Sequence, residues 1–328
     1  MLKQIKTTPA GNQARVQALS HARLSNYRRF FGAVDDAEAL GLYQWNEDLT
    51  AVLFRTICQV EVVLRNQFHQ ALSIRYGVMG AHGAKDWYEH VALDAFARYK
   101  IEGITHQKRG GQMVPRIPAP SPDDVVSGLT FGFWPHLLDL THDLNRRPIN
   151  WGDILVDVLP GHRQRLPTHW AKLKHRDGLF ARLDLCNELR NRIAHHEPIW
   201  KLGALRREGR PRSGAPLPPE APAPTTPADA LARLRLLYGR IIELLDWLSP
   251  AIAAQHAASE MHLRCLNLLH PDALDIYRRA LPPAEINFAT ENSWRTFRKA
   301  LRYAARRKQP VLIKDGHRLI GYLNCSLA

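Results

Sequence analysis

A chain of 328 residues, 45% of them apolar, has material for a sizeable core, which excludes wholesale disorder. Its 45 Lys and Arg against 31 Asp and Glu leave a formal net charge of +14. An excess of that size points to a polyanionic partner, because each basic side chain set against a phosphate releases a condensed counterion. Cys58, Cys186, Cys265 and Cys325 are scattered without a C-x-x-C pair. That spacing argues against a zinc site and against a disulfide framework, and no metal or cofactor is expected. The segment Met1-Leu2-Lys3-Gln4-Ile5-Lys6 lacks the apolar stretch of a signal peptide. The most apolar window, Ile241 to Ala258, is interrupted by Glu243, Asp246 and Pro250, so a cytoplasmic protein without membrane contact is expected.

In chain order, residues 1–19 read as an N-terminal extension and Ser20 to Tyr43 as helix, turn, helix. A long helix is predicted from about Asn46 to Tyr76. Leu53, Ile57, Val60, Leu64, Phe68 and Leu72 recur along it at three- and four-residue spacing, and Gly77 stops it. Residues 103–123, rich in Gly, Pro and basic side chains, read as a loop. Helix returns over Asp123 to Asp143, where Phe131, Phe133 and Trp134 should pack inward, and over Trp151 to Leu159 before Pro160-Gly161. From about Asp177 to His196 a further helix carries the stripe Leu179, Leu183, Cys186, Leu189 and Ile193. Pro198 disfavours helical geometry at Glu197, so the helix should end near His196.

Residues 203–227 have the composition of a linker or insertion. Thr226 then caps a helix, Pro227 suits its first position and Asp229 its first turn, and it runs to about Ser249-Pro250. Residues 251–282 read as a helical connector. Beyond them the character changes: a short strand at Glu285 to Phe288, a basic helix from Ser293 to Lys308, and two β-type runs, Val311 to Lys314 and His317 to Leu323, around Asp315-Gly316. These predict a small β-α-β-β module over 283–328.

The string that carries chemistry is Leu189-Arg190-Asn191-Arg192-Ile193-Ala194-His195-His196-Glu197-Pro198-Ile199-Trp200. Metal-independent RNA cleavage needs a base for the 2′-hydroxyl, an acid for the departing 5′-oxygen and a group that holds the charge building on the phosphate. Histidine, with an unperturbed pKa of ~6.5, suits the proton steps. Arginine suits the phosphate, with a planar fork that is always charged. His195 and His196 fall in the last helical turn, where the helix dipole favours imidazolium. Arg190 and His195, however, stand about 140° apart on an ideal helix, and Arg190 lies close to the apolar stripe. Either the helix frays at Ala194 and lets His195 swing round, or two copies of the motif build one composite cleft; the second also gives Arg190 a polar setting. The competing reading has Arg190 paired with Glu188 or Glu197 and the histidines as plain helix-end residues.

LRNRIAHHEPIW strongly resembles the Abi-like (AbiD/AbiF) abortive-infection family. Leu42-Tyr43-Gln44-Trp45-Asn46, Glu61-Val62-Val63-Leu64-Arg65-Asn66 and Leu129-Thr130-Phe131-Gly132-Phe133-Trp134 resemble that family's landmarks in the same order, over roughly residues 20–250. The family is similar to the HEPN superfamily, all-helical proteins bearing R-x4-6-H, many of them dimeric metal-independent endoribonucleases. The resemblance therefore implies a mainly α protein: a HEPN-like helical bundle with a small C-terminal α+β module. It further implies an RNase toxin in phage defence that works as a homodimer or higher oligomer. Carried over by position, Arg190 and His195 are the motif pair, Asn191 the polar residue after the Arg, and His196 an alternative or helper. RNA is the expected substrate, and an RNA antitoxin is compatible with the charge.

Three further groups bear on function. Glu61, Arg65, Asn66 and His69 on the long helix either line the same cleft or form a structural ion-pair cluster. Arg163, Arg165, Trp170, Lys172, Lys174 and Arg176 precede the motif helix and, with Arg192, suit single-stranded RNA, where phosphates meet charge and bases stack; the competing reading is a solvated face. Arg295, Arg298, Lys299 and Arg302 form a second basic patch. The segment around them, Ile286-Asn287-Phe288 and Lys308 to Leu323, resembles the DNA-binding half of Phd/YefM-like antitoxins. That implies DNA as a partner, while the end at Ala328 leaves out the toxin-wrapping tail; a small capping module is the other reading. The functions in competition with an endoribonuclease are thus a non-catalytic RNA-binding scaffold and a DNA-binding regulator.

Overall fold

The computed structural model describes residues 9–77, 85–212, 214–279, 284–290, 294–307 and 311–323. Cys325, Pro283, Ser293, Lys308 and the first eight positions of the expected N-terminal extension lie outside the described residues. Among the described residues the chain is mainly helical, with fourteen α-helices and three small sheets.

The first two helices, α1 (Pro9–Leu19) and α2 (His21–Phe31), pack against each other and on α3 (Asp36–Tyr76). Residues 9–19 are therefore more than an extension: Val16 is buried with Leu24 and Leu40. The turn between helices falls at Gly32 to Asp35, where Gly32 takes φ +69° and Asp35 caps α3. As a result α3 starts ten residues before the expected Asn46. Gly41 is a helix–helix contact point: a Cβ there would stand 1.9 Å from the backbone oxygen of Tyr277.

With 41 residues α3 is about 60 Å long and forms the spine of the molecule. Leu53, Ile57, Val60, Leu64, Phe68 and Leu72 are each at most 2% exposed. Burial of such side chains stabilises by ~1.5–3 kcal/mol apiece. Gly77 ends the helix, its amide returning to Ser73 O.

After a single 3₁₀ turn at Trp87–Glu89 comes α4 (Ala95–Thr105). The segment 103–123, expected as a loop, holds an antiparallel hairpin, β1 (His106–Arg109) and β2 (Gln112–Pro115). Gly110 and Gly111 make its two-residue turn, both at positive φ (+58° and +83°), which only glycine adopts without strain. Next come α5 (Pro122–Gly128) and α6 (Phe133–Leu137), with Phe131, Phe133 and Trp134 buried as expected. They are followed by α7 (Trp151–Val158), α8 (Pro167–Trp170) and the 22-residue α9 (Leu173–Ala194).

Residues 203–227 are not a free linker. They include the short pair β3 (Leu205–Arg206) and β4 (Pro219–Ala221). Arginines pin them to the body: Arg182 binds Glu208, Arg210 binds Asp139, and Arg212 binds Asp177 at 2.6 Å. Arg233 donates to the carbonyls of Gly203, Ala221 and Pro222. α10 (Pro227–Leu248) begins with Thr226 as its cap, as predicted, and Asp229 bonds back to complete a capping box. The expected connector is likewise part of the body, since α11 (Pro250–Ala257), α12 (Glu260–Leu268) and α13 (Pro271–Arg279) share one core with α3. Trp45 fixes this arrangement through a 2.8 Å bond from its indole N–H to Leu268 O.

The C-terminal module has the expected order, β5 (Ala284–Asn287), α14 (Trp294–Arg306), β6 (Val311–Asp315) and β7 (Arg318–Leu323). β5 pairs parallel and β7 antiparallel with the central β6. Asp315 opposes Arg318, so the hairpin turn is Gly316-His317, one residue beyond the expected Asp315-Gly316. Ile286, Phe297, Ala304 and Val311 make a small core of its own. No helix among the described residues is long and apolar enough to cross a membrane.

Candidate functional site

Leu179, Leu183, Cys186, Leu189 and Ile193 are buried along α9 as the stripe predicts. The helix ends at Ala194 without fraying: the amide of His195 still reaches Asn191 O at 3.0 Å. The reversal comes one residue later. His196 sits at φ +54°, its amide reaching Ile193 O at 2.9 Å and that of Glu197 reaching Arg192 O at 2.9 Å. These paired bonds are a Schellman closure, whose left-handed position is usually glycine. Holding histidine there costs on the order of 1 kcal/mol.

The turn is tied down by distant residues. Arg23 of α2 donates to His196 O at 2.9 Å, and the buried Asn46 side chain accepts the Ile199 amide at 3.2 Å. Trp200 is buried against Phe30 (ring centroids 4.5 Å), Tyr27 and Phe31. Arg192, expected to bind RNA, serves the same turn by donating to Pro198 O and Lys201 O at 3.1 and 2.8 Å. A rigid frame thus leaves the imidazoles of His195 and His196 exposed.

Arg190 is half-buried and donates to Asn191 Oδ1 at 3.3 Å. It faces α3, where Glu61 and Cys58 lie within its electrostatic reach. Burial pushes the Glu61 carboxyl above its ordinary value, while Arg190, Arg65 and a backbone bond from Phe131 oppose the rise. The Cys58 thiol is pushed up by burial and then by Glu61, with Arg190 opposing. Cys58 is half-buried and belongs to this cluster; its position three residues before Glu61 is the signal that finds it. Gly132 completes the contact, since a Cβ there would touch Asn187 of α9 at 3.4 Å. Two inferences from the sequence are corrected. Arg190 obtains its polar setting within one chain and needs no second copy for it. The helix does not swing His195 round, so the ideal angular offset of about 140° persists.

The second expected cluster divides. Glu61 lies within reach of Arg190 and of Arg65, and Arg65 donates to Ser127 O at 3.2 Å. Asn66 is exposed. His69 is buried elsewhere: its Nδ1 accepts the Trp87 indole N–H at 3.0 Å, and its Nε2 donates to Asp123 at 3.2 Å. An indole only donates, so this tautomer is fixed and His69 is structural.

The expected RNA-binding patch is also revised. Arg163, Arg165, Lys172 and Lys174 are exposed, but Trp170 is 3% exposed, its indole bound to Gln164 O at 3.2 Å, and offers no face for a base. Arg176 is half-buried, with its Nε enclosed. Nor is the patch beside Arg190. Sixteen residues of helix separate Lys174 from Arg190, about 24 Å along α9. On α14, Arg295, Arg298, Lys299 and Arg302 are all exposed, opposite Phe297 and Ala304.

No protein-family model, curated protein or solved structure matches this chain.

Proposed function

We propose that this protein is a HEPN-type, metal-independent endoribonuclease of abortive-infection defence, working as a homodimer in the cytoplasm. The observation that supports the reading most is convergence. Three strings far apart in sequence, around Glu61, Phe131 and Arg190, meet at one crossing of α3 and α9, with two exposed histidines at the adjoining helix end. A helix end that served only packing would not need Arg190, bonded to Asn191, set within electrostatic reach of Glu61.

In the proposed reaction the 2′-oxygen attacks phosphorus and gives its proton to a neutral imidazole. The P–O5′ bond breaks, and the 5′-oxygen takes a proton from an imidazolium, leaving a 2′,3′-cyclic phosphate. His195 and His196 supply these imidazoles. Arg190 holds the charge that builds on the phosphate oxygens, and Glu61 and Asn191 aim its guanidinium. The offset between Arg190 and His195 along α9 is met by a second copy, whose His195 faces the first copy's Arg190.

The test is RNA cleavage by purified protein in EDTA, comparing wild type with His195→Ala and Arg190→Ala at matched RNA binding. The expected result is EDTA-resistant cutting that leaves cyclic phosphate ends and falls by at least ~100-fold in each variant. Tight binding by folded wild type without cleavage of a broad RNA panel overturns the enzyme reading and leaves an RNA-binding scaffold. DNA binding that is lost on replacing Arg295, Arg298 and Arg302 together would move the function to the C-terminal module.

A further inference from the structure

At the end of α9 remote from Arg190 a second cleft, of about 580 Å³, opens between residues 161–164, α8, the first turns of α9 and the end of α10. Gly161 is what permits it. Its amide donates to Trp247 O at 2.9 Å, and a Cβ there would stand 2.0 Å from Asp246 O, so only glycine lets the loop lie this close to α10.

Three histidines line the cleft, His162, His169 and His175, together with the exposed Arg163 and Lys174. His169 and His175 stack face to face, ring centroids 3.7 Å apart and planes within 16°. Their protonation is legible from the hydrogen bonds. His175 Nδ1 lies 2.8 Å from His169 O, and a carbonyl only accepts, so Nδ1 carries hydrogen. A neutral His175 therefore has its lone pair on Nε2, where it meets an anion only after taking a proton. His162 Nδ1 faces the Gln164 backbone, 3.0 Å from its amide nitrogen and 3.4 Å from its carbonyl oxygen.

Two imidazoles at stacking distance resist carrying charge together, and the neighbours reinforce this. Burial lowers His169 first, then His175, His162, Lys172 and Arg163 lower it further. Burial likewise lowers His162, with Gln164 and Glu243 opposing and Arg163 and Arg182 adding. The acidic wall does not supply the missing counter-charge in full. Glu208 and Glu243 are engaged by Arg182, the latter at 2.7 Å, which leaves Asp246 as the remaining carboxylate of the lining. An anion of two or more acceptor oxygens, set between the stack and the two exposed cations, resolves the conflict.

The geometry points to a phosphate-binding site in this cleft, held by Arg163 and Lys174 and completed by the His169–His175 stack, which takes up a proton as the phosphate enters. The phosphate of a nucleic-acid strand and free phosphate share this chemistry. The site stands apart from the proposed cleavage reaction and does not depend on it.

The test uses the full chain and two probes, d(TpT) and inorganic phosphate. d(TpT) has no 2′-hydroxyl and cannot be cut, and its diester keeps a single charge across the range studied. Its affinity should weaken roughly tenfold from pH 6 to pH 8, with about half a proton taken up per site at neutral pH, counted by calorimetry in buffers of different ionisation heat. Lys174→Ala and Arg163→Ala should each weaken binding by roughly tenfold. His175→Gln should remove the pH dependence, and Arg190→Ala should leave that pH dependence in place, which separates this site from the proposed active site. Which probe binds tighter tells strand phosphate from free phosphate. Equal d(TpT) affinity at pH 6 and pH 8, or affinity untouched in the Arg163→Ala/Lys174→Ala double variant, overturns the proposal. Should His175→Gln not fold, proton uptake by wild type decides alone, and an uptake of zero overturns it.

Discussion

The amide of Ile199 donates to the buried side-chain oxygen of Asn46, 3.2 Å away and 153 positions earlier in the chain. That bond joins the first third of the long spine helix to the loop that follows the two histidines. Replacing Asn46 with Leu leaves a buried N–H without an acceptor, a loss of ~1–3 kcal/mol. Thermal unfolding of Asn46→Leu should fall by several degrees, at about 2–4 °C per kcal/mol for chains approaching this size. RNA cleavage should fall more than stability accounts for, since the His195-His196 turn loses one of its ties. A melting temperature equal to wild type would show that the bond contributes nothing.

His196 separates backbone strain from chemistry. In its left-handed conformation, φ +54°, glycine is relaxed, so His196→Gly should stabilise the protein by up to ~1 kcal/mol, read by urea unfolding. His196→Val should destabilise it, because a β-branched side chain fits this region poorly. If His196→Gly gains stability and loses cleavage, its imidazole takes part in the reaction. If cleavage persists, His195 carries the proton steps.

Glu61 gives a pH prediction with a definite sign. Its carboxyl is raised in the folded state, by burial first, so ionising it costs stability. Its favourable balance is fully present below the ordinary carboxylate value of ~4.3 and is lost as pH rises through the folded value. Glu61→Gln should therefore match wild type in acid and equal or exceed it in stability at neutral pH. Its cleavage rate should nevertheless drop, because Arg190 loses the partner that aims it. Lower stability than wild type at pH 7 would show instead that Glu61 acts as a net stabilising ion pair with Arg190 and Arg65.

Arg182 is 5% exposed and holds Glu208, Glu243 and the carbonyl of Arg240. Truncation to Ala leaves Glu208 only the 3.5 Å contact with Arg240 and opens the contact between α9 and the 205–212 segment. The expected cost is about 3 kcal/mol, the lower end for a broken buried pair, because Glu243 stays partly in water. Limited proteolysis should then cut within 205–217 well before the rest of the chain. Unchanged protection of that segment would mean that Arg210 and Arg212 hold it without Arg182.

Legibility from the sequence followed the range of the forces. The α9 stripe, its stop ahead of Pro198, the Thr226-Pro227-Asp229 start of α10 and the β-α-β-β order are all set by neighbours in the chain, and all are found where periodicity and capping place them. Residues 203–227 look like a linker because composition says nothing of partners such as Asp139 and Asp177, far upstream. The hairpin at 106–115 was hidden because its strands lack apolar alternation, being exposed at most positions, although Gly110-Gly111 was a fair signal. At the candidate site the sequence points to Arg190, His195 and Glu61. It could not show that Trp170 faces the core or that His69 is locked between Trp87 and Asp123, since both depend on packing across the fold.

The same hairpin offers a practical handle. Its turn is only two residues, both glycine at positive φ, and a Cβ at either would meet nothing within 4 Å. Peptide inserted between Gly110 and Gly111 would leave into solvent, and the strands beneath it contribute little to the common core. A short epitope placed there should unfold with the parent protein, within a degree or two, and leave both chain ends free. It would let the intact molecule be captured or labelled in cells while the α3–α9 crossing remains untouched.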